Sequence, residues 1–129
     1  MTDGALIEEA ECARGRAYAP YSKFSVGAAL LTRAGDVFRG CNVENISFGL
    51  TICAERAAVA AAVADGQREF ECIAIVADSG QPVVPCGACR QVLAEFAPAL
   101  RVLSSNLQGQ TSDRSLAELL PSAKEGILG

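Results

Sequence analysis

The sequence predicts an α/β fold, in the form of a three-layer α/β/α sandwich with a mixed five-stranded sheet. Half of the 129 residues are hydrophobic, which is enough to build one substantial core. Hydrophobic patterns of helical type alternate along the chain with patterns of strand type, as they do in α/β proteins. No repeat, low-complexity tract or linker interrupts this order. Residues 1–129 are therefore expected to form a single domain.

The first half of the chain predicts a helix, a hairpin and a second helix. Apolar residues recur near helical spacing over residues 3–18, and that helix is expected to end before Pro20. Two apolar or alternating runs, 24–32 and 36–44, flank a short Arg-Ala-Gly turn and indicate a β-hairpin. Residues 51–64 are rich in alanine and apolar on nearly every side, which is typical of a central buried helix.

The second half predicts a strand, a helix, another strand and a short final helix. Residues 71–78 form an apolar run bounded by turn-forming residues, which indicates a strand. Residues 86–97 have the pattern of a helix that begins at two cysteines and ends before Pro98. Residues 101–105 predict a strand and residues 115–121 a short helix. These local patterns place four strands and leave the fifth strand of the predicted sheet without a position.

Charge and composition argue against several classes of protein. The formal net charge is −4 and no run of Lys or Arg is present, which disfavours a nucleic-acid surface. Residues 1–18 are acidic and lack the apolar stretch of a secretory signal. The longest strictly apolar run, 57–64, is too short to span a membrane. We therefore expect a cytoplasmic protein, whose six cysteines are metal ligands, catalytic groups or core residues rather than disulfides.

Three cysteines lie at the predicted starts of two helices. Cys86 and Cys89 form a C-x-x-C pair within Pro-Cys-Gly-Ala-Cys, and Cys53 lies near the start of the preceding helix. Helix N-termini stabilise thiolates. Because the chain has no histidine, these three thiolates are expected to bind one Zn²⁺ and leave its fourth position open, as in catalytic zinc sites. The alternative is three buried core thiols. The remaining cysteines are assigned to packing: Cys12, Cys41 and Cys72.

Glu55 lies two residues after Cys53, in an otherwise apolar helix. A carboxylate there is costly unless it has a partner, and beside the open metal position it would move a proton from the zinc water to the substrate. Cys-Ala-Glu followed by Pro-Cys-x-x-Cys is the three-cysteine form of the zinc deaminase pattern. Arg56 or Arg90 is expected to donate N–H groups to the sulfurs and reduce their charge. An exposed helix charge is the alternative for Glu55, and a surface ion pair is the alternative for Arg56.

The chain resembles the small homotetrameric cytidine deaminases of pyrimidine salvage. Three blocks carry the resemblance: YAPYSKFSVGAALL at 18–31, GCNVENISFGLTICAERAA at 40–58 and PCGACRQVLAEF at 85–96. The resemblance implies a cytidine deaminase-like fold, one Zn²⁺ per subunit held by the three cysteines, and Glu55 as proton shuttle. It implies hydrolysis of cytidine and 2′-deoxycytidine to uridine and 2′-deoxyuridine plus ammonia, by hydroxide attack on C4. It also implies a homotetramer with shared active sites.

The resemblance also implies the residues that contact the substrate. Asn42 and Glu44 match residues that hold the ribose hydroxyls, Phe24 an aromatic packed on the pyrimidine, and the backbone of Ala54 a contact to the base. Asn42 and Glu44 alternate along the predicted strand, so both are expected on one face. Phe48 matches a position near a subunit boundary that is usually Tyr. Without the resemblance, Phe24 would be assigned to the core, and interface packing is the alternative for Phe48. Asn42 and Glu44 could then equally be polar residues of a turn or edge strand as substrate contacts.

The tail, LLPSAKEGILG, departs from the family pattern. Family members often carry an aromatic residue in a Phe-Gly segment after LLP, and none follows Pro121 here. Blasticidin S deaminases share the LLPS segment, so blasticidin S or a modified cytosine nucleoside is the alternative substrate. A non-catalytic module with structural zinc is the alternative from another class. The expected partner is a small-molecule nucleoside, with no nucleic acid and no membrane.

Overall fold

The computed structural model describes residues 1–126 and has a five-stranded sheet with helices on both faces. The helices are α1 (Asp3–Arg14), α2 (Ala54–Ala64), α3 (Gly87–Phe96) and α4 (Leu116–Leu119), with a 3-10 turn at Phe48–Leu50. The strands are β1 (Val26–Thr32), β2 (Val37–Cys41), β3 (Phe70–Ala77), β4 (Arg101–Ser105) and β5 (Thr111–Ser115). They lie in the order β2-β1-β3-β4-β5, with β3 and β4 parallel and the other neighbours antiparallel. The predicted α/β/α sandwich with a mixed sheet is confirmed.

The central strands send alternate side chains into two cores, one on each face of the sheet. From β1, Ala28 and Leu30 pack with α2 and α3, whereas Ala29 and Leu31 pack with α1. Both faces of β1 and β3 are therefore buried, and these strands are apolar almost throughout. Among residues 1–126, no helix is both long enough and apolar enough to cross a bilayer.

Two glycines let helices approach the sheet closely. A Cβ on Gly40 of β2 would lie 2.2 Å from the carbonyl oxygen of Ala54, in the first turn of α2. A Cβ on Gly27 of β1 would lie 1.9 Å from the carbonyl oxygen of Ala10 in α1. Neither position has room for a larger residue. Gly40 therefore determines how closely the first turn of α2 sits over the sheet.

Several predicted elements are a few residues longer than the observed ones, and two of these differences have a visible cause. The first helix ends at Arg14, because the N–H of Tyr18 bonds instead to the carbonyl of Asn42 at 2.9 Å. The second strand ends at Cys41 rather than 44, since the segment after it leaves β1 and continues as single bridges from Val43 to Tyr18 and Ile52. Asn42 and Glu44 thus belong to an extended segment between two loops.

Strand β5 is the strand that local patterns did not place. Its sequence, Thr-Ser-Asp-Arg-Ser, has no hydrophobic alternation, because β5 is a mostly exposed edge strand paired only with β4. Sequence patterns detect a strand through its buried face, and this strand has little buried surface. The short final helix is present as α4, and its start is fixed by a capping box between Ser115 and Glu118.

Candidate active site

The three predicted ligand cysteines meet where α2 and α3 begin. Cys53 is the N-cap of α2, Cys86 is the N-cap of α3, and Cys89 lies in the first turn of α3. Their Sγ atoms all lie within 4.8 Å of one another. The thiol of Cys53 makes no hydrogen bond to the first turn of α2, so its sulfur remains available to the cluster. Tertiary structure brings together cysteines that are 33 residues apart in the sequence.

The cluster has the donor set of a metal site. Tetrahedral zinc with Zn–S bonds of about 2.3 Å places its sulfur ligands roughly 3.8 Å apart. The spacing of the three Sγ atoms is compatible with that arrangement. Burial and the nearby carboxylate of Glu55 raise the pKa of Cys89. Burial opposes ionisation of Cys86 too, but hydrogen bonds from the backbone and thiol of Cys89 lower the pKa of Cys86. Ionisation of neighbouring thiols places negative charges close together, and the positive charge of a bound cation would offset their repulsion.

Glu55 is buried beside this cluster. It lies in the first turn of α2 and is only 6% exposed. Burial raises the pKa of its carboxyl group, and a backbone hydrogen bond, Arg56 and Cys89 oppose that rise. The group can therefore hold a proton at a higher pH than an exposed glutamate does. This is the behaviour required of a group that alternates between base and acid.

The two arginines named as possible thiolate donors have different partners. Arg56 Nη2 donates to Cys53 Sγ at 3.3 Å and to the carbonyl of Thr51 at 3.4 Å. The contact with Cys53 raises the pKa of Arg56, so the guanidinium stays charged. Arg90 bonds instead to two backbone carbonyls, at positions 85 and 119. Arg56 therefore contacts one of the sulfurs, its role in reducing their charge stays a prediction, and the hydrogen bonds of Arg90 go to carbonyl groups instead.

A cavity of about 400 Å³ opens directly above Glu55. Its lining includes Phe24, Asn42, Glu44 and Ala54, together with Cys53 and Cys86. Apolar side chains complete the wall: Val26, Ile75, Val83 and Val84. A larger depression of about 480 Å³ lies elsewhere, beside Arg33 and Glu69, but no thiol lines it. The cavity beside Glu55 is the candidate site because it combines a buried carboxyl group with a thiol cluster.

Asn42 and Glu44 are held by the loop before β1. Asn42 accepts the N–H of Val26 at 2.9 Å and donates to the carbonyl of Phe24 at 2.8 Å. Glu44 accepts the N–H groups of Tyr21 and Ser22, at 3.0 and 3.1 Å, and the hydroxyl of Ser22. The hydrogen bond from the Ser22 hydroxyl has the largest effect on the pKa of Glu44. It lowers this pKa, so the carboxylate is ionised. Both side chains have fixed positions in the cavity wall.

Ser22 is a site residue that sequence reasoning missed. Its hydroxyl donates to Glu44 and accepts the N–H of Phe24 at 3.0 Å, so it joins two walls of the cavity. A lone serine in a polar loop has no distinctive pattern, and only its proximity to Glu44 reveals the contact.

Phe48 lies outside the cavity lining. It is 75% exposed and makes an edge contact with Tyr21, with ring centroids 6.2 Å apart. Phe48 thus lies on the surface of this chain, and its place near a subunit boundary stays a prediction.

Comparison with known proteins gives a consistent assignment. Residues 1–104 match the family model described as the cytidine and deoxycytidylate deaminase zinc-binding region. A cytidine deaminase from Halalkalibacterium halodurans is 56% identical over 119 residues, which cover 92% of this chain and 90% of that protein. The crystal structure of cytidine deaminase from Burkholderia pseudomallei has a TM-score of 0.92 and 54% identity, and the match covers 95% of this chain and 98% of that one. Blasticidin-S deaminase from Bacillus cereus is 32% identical over 108 residues, 78% of this chain and 76% of that protein.

Proposed function

The chain belongs to the cytidine and deoxycytidylate deaminase family, and we propose that it deaminates cytidine and 2′-deoxycytidine by hydrolysis, releasing ammonia. One observation carries the proposal. The buried carboxyl group of Glu55 lies beside three clustered thiols, at a cavity that is also lined by Asn42 and Glu44. A protein with a purely structural metal site has no use for a buried acid–base group at such a cavity.

Cys53, Cys86 and Cys89 would hold one zinc ion per subunit. When bound, zinc lowers the pKa of a water ligand from about 15.7 to about 7, which supplies a nucleophile at neutral pH. Three thiolates would leave the site with excess negative charge. The N–H group that Arg56 donates to Cys53 Sγ withdraws part of that charge, as do the two helix N-termini.

Glu55 moves protons between the attacking water and the base. It takes a proton from the water that attacks C4 of cytosine and delivers it to N3 of the base. It then takes the remaining proton from the hydroxyl now bound to C4 and delivers it to the amino group, so that the C4–N bond breaks, ammonia leaves and C4 becomes a carbonyl. Burial raises the pKa of Glu55, which makes its carboxylate a stronger base towards the attacking water.

The ribose would bind between Asn42 and Glu44. A carboxylate has about four acceptor positions, and loop contacts occupy three of those on Glu44. An amide group has two N–H donors, and one on Asn42 is used by the carbonyl of Phe24. Glu44 therefore keeps one acceptor position and Asn42 keeps one N–H donor, which suits a sugar hydroxyl. The ionised Glu44 would repel a 5′-phosphate, so a free nucleoside is favoured over a nucleotide.

The base would bind at the opposite end of the cavity. Phe24 offers an apolar ring for the pyrimidine, and the backbone of Ala54, next to the catalytic carboxyl, offers polar contacts to its edge. This orientation directs C4 of the base towards Glu55 and the thiols.

We also propose that the chain forms a single domain and assembles as a cytoplasmic homotetramer with shared active sites, in pyrimidine salvage. An exposed apolar patch beside the cavity supports the assembly. The patch consists of Tyr21, Ile46, Phe48, Leu50 and Ile52, which are 45–78% exposed. An exposed apolar patch of this kind is typical of a surface that another subunit covers.

The test is ammonia release from cytidine by the zinc-loaded protein, with deoxycytidine, cytidine 5′-monophosphate, 5-methylcytidine and blasticidin S in parallel. We expect turnover of the two nucleosides and little of the nucleotide. Activity on blasticidin S alone would support the alternative substrate, and the chain is also 32% identical to a blasticidin-S deaminase. Bound zinc without turnover of any of them would support the non-catalytic module.

A further inference from the structure

Arg90 joins the turn that carries Cys86 to the end of α4. Its Nε donates to the carbonyl oxygen of Pro85 at 2.8 Å, and its Nη1 donates to the carbonyl oxygen of Leu119 at 2.9 Å. Pro85 is fully buried and immediately precedes Cys86. Leu119 is the last residue of α4, where carbonyl groups lack partners within the helix. One guanidinium group therefore bridges two segments that the sequence separates by more than thirty residues.

The chemistry of the guanidinium suits this bridge. It is planar, always charged and carries five N–H donors in fixed directions, so two bonds from one group restrain the relative position of both acceptors. A lysine in the same place would keep the charge but would offer a flexible ammonium group. The bridge therefore depends on the shape of the arginine side chain as well as on its charge.

Residues 119–124, here called the C-terminal strap, contact α3 at two further points. Gln91 Nε2 donates to the carbonyl of Ala123 at 3.2 Å. Lys124 Nζ donates to the carbonyl of Glu95 at 3.3 Å and lies 3.6 Å from its carboxylate. Both contacts are exposed, and neither involves the turn at Cys86. They tie the strap to α3 but, unlike the bridge made by Arg90, they do not reach the thiol cluster.

We propose that Arg90 is a positioning residue, which holds the turn of Cys86 in place against Cys53 and Cys89 and uses the C-terminal strap as its anchor. The inference rests on the zinc site of the proposed function. Arg90 acts through the carbonyl of Pro85, since it does not line the cavity and bonds to carbonyl groups. The bond from Arg90 to the carbonyl of Leu119 thereby contributes to retention of the metal.

The test follows loss of zinc from the holoenzyme into a coloured chelator, for Arg90→Met, Arg90→Lys and the matched control Gln91→Met. We expect Arg90→Met to accelerate zinc loss by about 10- to 100-fold, the usual cost of removing a group that orients a metal ligand. Arg90→Lys should fall between the wild type and Arg90→Met. Gln91→Met removes a strap contact from the same helix without touching Pro85, and should lose zinc at the wild-type rate.

Thermal unfolding of the same variants separates positioning from general stability. Equal changes in zinc loss for Arg90→Met and Gln91→Met, in step with their melting temperatures, would overturn the inference. If Arg90→Met does not fold, Arg90→Lys decides, because zinc loss at the wild-type rate in that variant would also overturn it. A wild-type protein that binds no zinc would refute the proposed function and this inference together. Zinc binding and turnover with no effect of Arg90 would refute the inference alone.

Discussion

At the scale of single residues, the site depends on polar groups that are buried or fixed by neighbours. Cys53, Cys86 and Cys89 lie within 4.8 Å of one another, and Glu55 is buried next to them. These residues stood out in the sequence because their types are unusual at the start of an apolar helix. Ser22 did not stand out, and Arg90 was expected to contact the sulfurs, since the partner of each depends on which carboxylate or carbonyl it reaches after folding.

Removal of the carboxyl group of Glu55 should abolish most of the activity and leave the metal in place. We expect Glu55→Ala and Glu55→Gln to keep one zinc per subunit and to lower kcat at least ~100-fold, the low end of general acid–base catalysis. Steady-state ammonia release and metal analysis check this. Glu8→Ala, which removes an exposed carboxylate of α1, is the control and should be fully active. Near-normal turnover of Glu55→Gln would contradict the assigned role.

At the scale of elements, the position of α2 links the sheet to the site. The start of α2 carries Cys53 and Glu55, and its first turn lies on Gly40 of β2. The site therefore depends on a glycine that contributes no functional group. Local patterns indicated both elements, but the close contact between them became evident only in the folded chain.

Addition of one methyl group at Gly40 should destabilise the protein. In Gly40→Ala the new Cβ would lie 2.2 Å from the carbonyl oxygen of Ala54 and 2.5 Å from the nitrogen of Ala58, so α2 must move. We expect the free energy of unfolding to fall by at least about 2 kcal/mol, within the range for overpacked sites. Denaturant unfolding measures this change. Gly4→Ala in α1, where a Cβ meets nothing within 4 Å, should be neutral or slightly stabilising, and an equal loss there would count against the explanation.

At the scale of the whole molecule, an ion-pair network joins the start of α1 to strands β4 and β5. Arg101 of β4 bonds to Asp3 at the start of α1 through two contacts of 2.7 Å, and to Asp113 of β5 at 2.7–3.2 Å. Hydrogen bonds from Arg101 are the main cause that lowers the pKa of both carboxyl groups below their ordinary value of 3.8. The network thus fastens α1 across the edge of the sheet.

The contribution of this network should depend on pH. A lowered pKa in the folded state stabilises the fold above the ordinary pKa of about 3.9, and the stabilisation is lost as the pH falls through the lower value. We expect Arg101→Met to melt below the wild type at pH 7, and the difference in melting temperature to shrink below about pH 4. Arg114→Met, which breaks an exposed pair with Glu118, is the control and should show a smaller difference. A difference that is constant from pH 7 to pH 3 would refute the ionic origin.

The exposed apolar patch should control assembly. We expect Phe48→Arg to shift the protein from a tetramer towards smaller species, because a buried unpaired charge is costly at an apolar interface. Light scattering after size-exclusion chromatography measures the mass. Leu107→Arg is the control, since Leu107 is 41% exposed in the turn between β4 and β5, at the opposite edge of the sheet. A tetramer that withstands Phe48→Arg, or a wild-type monomer, would refute the proposed interface.

The sequence by itself determined the fold class, the main helices and buried strands, and the candidate residues of the metal and catalytic site. Hydrophobic periodicity is a local property, and a cysteine or glutamate is conspicuous wherever it interrupts an apolar run. The tertiary structure alone decided three matters: the polar edge strand β5, the early end of β2 before Asn42, and the partners of Arg90. Each depends on contacts between residues far apart in the chain, because an edge strand needs a neighbour and a buried donor needs an acceptor that only folding brings within reach.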